Sequence, residues 1–343
     1  MDAKFILYAF LIQGMVFSYV WTGYYVGGGQ IFSYHYNMTY TWVNEGIRVK
    51  IVGNATMQYE GAPIKPQVYP FSSKGLEPTY YQLFYEGKNG PEEFILYFTN
   101  FTTTTVNLEG VTIPAIKFYK GDSYLIVSAQ YGFPIEGYAQ NYLPYSSATE
   151  SDNISLKLTK VSPLPSFVSS ERLYEVVLNL RQTETKTFPK VVYVIAPSAK
   201  ITAKQLNTTV IDVEAKGYAT LIFPLDEFPL VEPIGEMIIN GKYYYFYPNQ
   251  TTNYFGTYYV AIPENESNPY MAVTIGKYFV IFVPNGGNVS VFLANGENPL
   301  VSYKVIDEDS LKYQIMSNIY YIIPAIAVIA VIVTVVLLRR RGS

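Results

Sequence analysis

Between Phe32 and Trp42 the chain alternates without a break. Phe32, Tyr34, Tyr36, Met38, Tyr40 and Trp42 are set against Ser33, His35, Asn37, Thr39 and Thr41. A period of two sends successive side chains to opposite faces, so residues 32–42 predict one long strand with an aromatic inner face. Asn44, Glu45 and Gly46 predict a turn. Ile47, Val49, Ile51, Gly53, Ala55, Met57 and Tyr59 then alternate with Arg48, Lys50, Asn54, Thr56 and Gln58. The pair reads as a long hairpin with one buried and one wet face.

Pro63, Pro66, Pro70 and Pro78 follow, and such spacing predicts a long loop. Strands resume at 93–101, 111–119, 123–129, 135–140 and 153–161. Long hairpin, proline loop and meander in that order resemble the curved antiparallel sheets of lipoprotein-carrier-like domains. Residues 25–161 are therefore expected to form an N-terminal antiparallel β domain. Pro163 and Pro165 stiffen a linker over 162–170. Beyond it, strands are expected at 173–181, 190–196, 208–214, 218–224, 258–262, 271–284, 288–293 and 300–306. A hairpin at 236–247 turns through Asn240-Gly241. Short strands with regular turn signals predict an immunoglobulin-like sandwich over 171–306.

Both ends break this pattern. Residues 319–338 carry no charge and consist mostly of Ile, Val, Ala and Leu. As a helix they span about 30 Å, the thickness of a bilayer's hydrocarbon core. Tyr320 and Tyr321 suit the headgroup zone, and Arg339, Arg340 and Arg341 set the tail 339–343 in the cytoplasm. Residues 307–318 form a juxtamembrane segment, with Asp307 to Ser310 capping a helix from Leu311. At the other end, Lys4 followed by an apolar run predicts a signal peptide over 1–24, cleaved between Ser18 and Gly29. The alternative is an uncleaved second anchor.

Composition narrows the function classes. Net charge is -3, and no basic patch is expected outside the tail, which argues against a nucleic-acid partner. With 35 tyrosines, aromatics reach 17% of the chain, a bias that favours strands. Cysteine is absent, which excludes thiol catalysis and cysteine-ligated metals and points to a prokaryotic exporter. Sequons occur at Asn37, Asn54, Asn100, Asn153, Asn207, Asn249, Asn265 and Asn288, an excess that marks them as candidate glycosylation sites. Asn37 and Asn54 share the wet face of the hairpin, where a glycan costs no packing.

Candidate catalytic chemistry is sparse. The one histidine, His35, falls on a polar strand face and reads as a surface residue. Ser-x-x-Lys spacing is absent, and Gly121-Asp122-Ser123 falls where a turn between strands is expected. No aspartate stands in an Asp-Thr/Ser-Gly context. Asp226-Glu227 and Asp307-Glu308-Asp309 read as solvated acidic faces rather than calcium sites. Gly27-Gly28-Gly29 lacks the strand-to-helix setting of a phosphate loop. No catalytic, cofactor-binding or metal-ligating residue is assigned, and no enzyme is expected.

A cysteine-free, tyrosine-rich, sequon-dense ectodomain on one C-terminal anchor resembles the type-I surface glycoproteins of thermoacidophilic archaea, those associated with a surface layer. The resemblance implies a single-pass cell-membrane protein with an extracellular ectodomain and a structural or adhesive role. Its partners would be the lipid bilayer and other cell-envelope glycoproteins. The alternative is a solute- or lipid-binding subunit of a membrane complex, with a ligand over the concave aromatic face. A third reading, an acid-active surface hydrolase, needs clustered buried carboxylates.

Overall fold

The computed structural model describes residues 14–43, 46–77, 98–140, 151–206, 209–228, 235–239, 242–248, 259–263, 271–293 and 298–310. Among them every regular element is a strand, and no helix is long and apolar enough to cross a membrane. The expected transmembrane stretch 319–338, residues 311–318, the tail, and the sequons at Asn207, Asn249 and Asn265 lie outside the described residues.

Nine strands build the first, antiparallel sheet. In chain order they are β1 (Val16–Gly27), β2 (Gln30–Val43), β3 (Gly46–Tyr59), β4 (Gln67–Glu77), β5 (Asn100–Leu108), β6 (Val111–Lys120), β7 (Ser123–Ser128), β8 (Pro134–Gln140) and β9 (Ser151–Ser162). They lie side by side as β4-β3-β2-β1-β9-β8-β7-β6-β5, so two meanders meet where β1 pairs β9. The expected hairpin is β2 and β3, in a register that sets Tyr36 opposite Gly53 and His35 opposite Asn54.

Three elements of this sheet depart from the sequence reading. Residues 16–24, expected within a signal peptide, form most of β1, a central strand hydrogen-bonded on both sides. Gly28 and Gly29, at φ 60° and 72°, make the β1–β2 turn, the left-handed pair that a tight hairpin needs. Cleavage inside this strand would remove the link between the two meanders. An apolar strand directly after an apolar leader-like run offers no change of period to mark its start. In the proline-rich stretch β4 replaces part of the expected loop, because an edge strand needs ladder bonds on one side only and tolerates Pro70. Of the strand expected at 93–101, residues 93–97 lie outside the described residues, and a strand runs Asn100–Leu108 through four successive threonines that show no apolar alternation.

The remaining strands form two six-stranded sheets. They are β10 (Arg172–Arg181), β11 (Thr187–Ala196), β12 (Ser198–Gln205), β13 (Thr209–Lys216), β14 (Ala219–Pro224), β15 (Gly235–Ile239), β16 (Lys242–Pro248), β17 (Tyr259–Pro263), β18 (Met271–Ile275), β19 (Tyr278–Val283), β20 (Gly287–Leu293) and β21 (Leu300–Asp307). The middle sheet has the order β18-β19-β14-β11-β10-β21 and the outer one β12-β13-β20-β15-β16-β17. β12 was not expected. Its Ala199, Ile201 and Ala203 do alternate with Ser198, Lys200 and Thr202, but only Ile201 is large.

One face of the middle sheet, with Val176, Leu178, Val192 and Val194, shares a core with Ile201, Ile211, Val213, Val289 and Val291 of the outer sheet. Its opposite face meets the β5–β7 end of the nine-stranded sheet. Phe101 stacks edge-on against Tyr193 and Tyr278, with centroids at 5.0 and 5.2 Å. The Tyr278 hydroxyl donates to the Thr99 carbonyl at 2.9 Å, and the Lys277 N–H to that of Phe98 at 3.0 Å. Gly276, at φ +57°, passes so close that a Cβ would stand 2.1 Å from the Phe98 oxygen. Buried Gln130 ties three segments together, donating to the Pro284 carbonyl at 3.0 Å and accepting from the Val168 N–H at 3.1 Å. β14 and β19 are thus covered on both faces, which is why they read as continuous apolar runs.

Candidate binding faces of the nine-stranded sheet

Register carries one apolar face across the whole sheet. Phe118 stands opposite Leu125, Leu125 opposite Gly137, Gly137 opposite Leu156, Leu156 opposite Trp21, Trp21 opposite Tyr36, and Gly53 opposite both Tyr36 and Phe71. Among the described residues the middle sheet meets this face at the β5–β7 end, where Tyr193 and Tyr278 lie against Phe101. Over β1–β4 the face is buried near Phe17, Tyr19, Met38 and Tyr40 and opens towards Phe32, Tyr34, Tyr36 and Phe71.

The open part is an aromatic row. Tyr34 stacks on Tyr36 with centroids 5.0 Å apart, and Tyr36 meets Phe71 at 5.2 Å. The Trp21 indole N–H donates to the Tyr34 hydroxyl at 2.9 Å. Two glycines let these rings lie flat on the backbone. A Cβ on Gly23 would enter the Tyr34 ring at 2.1 Å, and one on Gly53 would strike the His35 carbonyl at 2.0 Å and the Tyr36 ring at 2.8 Å. Aromatic rings laid over cross-strand glycines restore the packing that glycine lacks. Burial pushes the Tyr36 hydroxyl above its ordinary range, so it stays a neutral donor.

The opposite face is polar and carries every described sequon of this sheet. Asn37 stands opposite Val20 and Val52, Asn54 opposite His35, Asn153 opposite Tyr24 and Gln140, and Asn100 opposite Tyr119. All four share the face that looks away from Trp21, Tyr36 and Phe118. Asn37, Asn54 and Asn100 are exposed and Asn153 is half-buried. Asn288 is exposed on the third sheet, opposite Glu214 and next to buried Val289.

This face also corrects the expectation of no basic patch outside the tail. Lys74 lies directly opposite Lys50, Lys50 opposite Thr39, Thr39 opposite Ser18, and Ser18 opposite Lys160. At about 4.8 Å between strands the row spans about 19 Å. Arg48, two residues from Lys50, extends it. All four cations are exposed, and among the described residues none forms an ion pair. Lys50, Lys74 and Lys160 are separated in sequence, and only the strand register collects them.

The residues weighed for catalysis stay apart. His35 is exposed on β2, and Gly121-Asp122-Ser123 forms the β6–β7 connection with Gly121 at φ 58°. The Ser123 hydroxyl accepts from the Gln140 N–H at 3.1 Å. Asp226 pairs with Lys277 at 3.4 Å, and Glu227 accepts from the Val191 N–H at 2.6 Å. Among the described residues no three His, Cys, Asp or Glu side chains stand where a metal ion could be held.

The acidic residues gather at the start of β10 and the end of β21. Asp307 pairs with Arg172 at 3.3 Å, and Asp309 accepts from the Leu173 N–H at 2.9 Å. Glu171 is pushed up to about 7 by burial and then by Asp309, and one of its oxygens is buried without a partner. Glu308 is likewise pushed up to about 7, by burial and then by its hydrogen bond and repulsion with Glu175. Burial, and then the field of Glu175, Glu227, Glu308 and Asp226, raises the Tyr193 hydroxyl above its ordinary range. Missing from the sequence reading was that these carboxyls, spread from 171 to 309, meet at one end of the middle sheet.

No family model matches this chain, and no curated protein matches it. Among solved structures, it is similar to the MucA/MucB complex of Pseudomonas aeruginosa at 9% identity, covering 82% of this chain and 90% of that one, with a TM-score of 0.20. MucB in complex with MucA(peri) gives 10% identity over 86% of this chain and 94% of that one, with a TM-score of 0.19. Likeness at this level bears on neither fold nor function.

Proposed function

We propose that this chain is a membrane-anchored, N-glycosylated cell-surface protein with a structural or adhesive role in the envelope. Its ectodomain stands outside the cell, and residues 339–343 lie in the cytoplasm. The observation that carries the reading is the placement of the sequons. Four strands of one sheet each present a sequon asparagine, and all four present it on the polar face. A glycan on the apolar face would prevent packing, whereas on the polar face it displaces only water. Glycopeptide mass spectrometry of protein isolated from its own membranes tests this. Glycans are expected at Asn37, Asn54, Asn100 and Asn288, and loss of the protein is expected to weaken the envelope or its attachments. A mature protein without glycan at any of these positions refutes the reading.

The open aromatic row favours a second reading, a solute- or lipid-binding subunit. Neutral aromatic surface with a few hydroxyl donors suits an uncharged, largely apolar ligand. Native mass spectrometry of the detergent-solubilised protein distinguishes the two. A bound small molecule that Tyr36→Ala with Phe71→Ala removes supports the carrier, and its absence supports the structural role.

A further inference from the structure

We infer that the basic row on the outer face of the nine-stranded sheet is a docking surface for the acidic β10/β21 end of a second copy of this chain. Each surface is electrostatically strained by itself. Lys50 faces Lys74 directly across β3 and β4, an arrangement that costs stability when nothing anionic lies over it. At the other end Glu308 and Asp309 directly follow Asp307, the Glu308 N–H donating to the Leu173 carbonyl and the Asp309 carboxylate accepting from the Leu173 N–H, two residues from Glu175. Neither set is fully paired from within. Among the described residues Arg48, Lys50, Lys74 and Lys160 form no ion pair, and Arg172 is the one cation paired to the acidic end, through Asp307. Bringing the surfaces together relieves both strains at once, which makes a copy of the same chain the partner of matching sign.

The geometry sets the kind of assembly. The two surfaces lie on different sheets of one chain, so the contact is head-to-tail and leaves a free basic row at one end and a free acidic end at the other. Copies then add in series rather than closing as a symmetric pair. A contact between exposed cations and half-buried carboxyls at the surface is weak and sensitive to salt, since ions screen surface charges over about 10 Å at 0.1 M. Asn37 lies two residues from Thr39 of the row, so a glycan there borders the contact. This association needs neither the glycans nor the anchor, and it stands or falls separately from the role proposed above.

The test uses the full chain in detergent micelles, made without glycans, with mass followed by light scattering at low and high salt. Wild type is expected to associate at low salt and to dissociate at high salt. Lys50→Glu with Lys74→Glu is expected to weaken association at least about tenfold, as is Glu175→Lys with Glu308→Lys. Circular dichroism checks that both variants fold. Mixing them supplies an acidic row to a basic end and leaves the untouched acidic end of one variant to the untouched basic row of the other, so the mixture is expected to associate again, with the two variants alternating. Wild type that stays monomeric at low salt overturns the proposal, as does a mixture that fails to pair. Wild type that stays monomeric but binds anionic vesicles through Lys50 and Lys74 also overturns it, and assigns the row to a lipid surface.

Discussion

The two ends of the nine-stranded sheet share one apolar face and differ in what lies over it. At the β5–β7 end, Phe118 and Val127 are fully buried, because the middle sheet lies across them with Tyr193 and Tyr278 between. At the β3–β4 end, Phe71 and Tyr69, aligned on the same face, stay 42% and 46% exposed. The same pleat sets Phe118 and Leu125 at one end and Tyr69 and Phe71 at the other on this face, so position in the pleat reports which face a residue takes and not whether anything covers that face. The covered end supplies stability through packed area. The open end holds its aromatic residues in place by stacking them on each other and on two glycines.

The sharpest way to break this comparison is to put charge on the shared face. Met38 is 6% exposed where the face passes under cover, so Met38→Asp buries an unpaired carboxylate and is expected to cost about 4 kcal/mol or more. Thr41→Asp, on the opposite face, is expected to stay within about 0.5 kcal/mol. Thermal unfolding of the two variants decides it, and equal losses refute the register. Next in size is the contrast between the ends. Phe118→Ala is expected to cost about 3–5 kcal/mol, as a fully buried aromatic does, and Phe71→Ala less than about 1 kcal/mol. Similar values for the two mean that the open end is covered after all.

The smallest expected effect concerns the middle sheet, whose face beyond Tyr193 carries Glu175 and the acidic end. Glu171 and Glu308 hold their protons up to about 7 in the folded chain, against the ordinary 4.5 of an unfolded glutamate. A raised carboxyl favours folding below the unfolded value, and that contribution is lost as pH rises. The unfolding temperature is therefore expected to fall by a few degrees between pH 4.5 and 7.5 and to level off above. Glu171→Gln and Glu308→Gln, measured singly and together, are expected to flatten this slope. An unchanged slope in the double variant assigns the pH dependence to other groups.

Much of this architecture was legible along the chain. The β2–β3 hairpin, the strands from β6 to β11, and the hairpin of β15 and β16 follow from periodicity and turn residues, because each is set by neighbours a few positions away. The shared outward placement of Asn37 and Asn54 follows from the same local rule. β1, β4 and β12 were hidden for local reasons too: an apolar flank, a proline, and side chains too small to show a pattern.

What tertiary structure alone decided is which strands lie next to which, and what covers them. Pairing of β1 with β9 joins Ser18 to Lys160 across more than half of the sheet's sequence, and with it assembles the basic row. No window of sequence records that Lys50 faces Lys74, since the loop between their strands sets that register. Equally, the aromatic face of β2 reads the same whether a second sheet lies over it or water does. Alternation is a property of the backbone pleat, whereas cover depends on a separate sheet folded from residues more than a hundred positions away, and that placement follows from the summed area of many weak contacts rather than from any one motif.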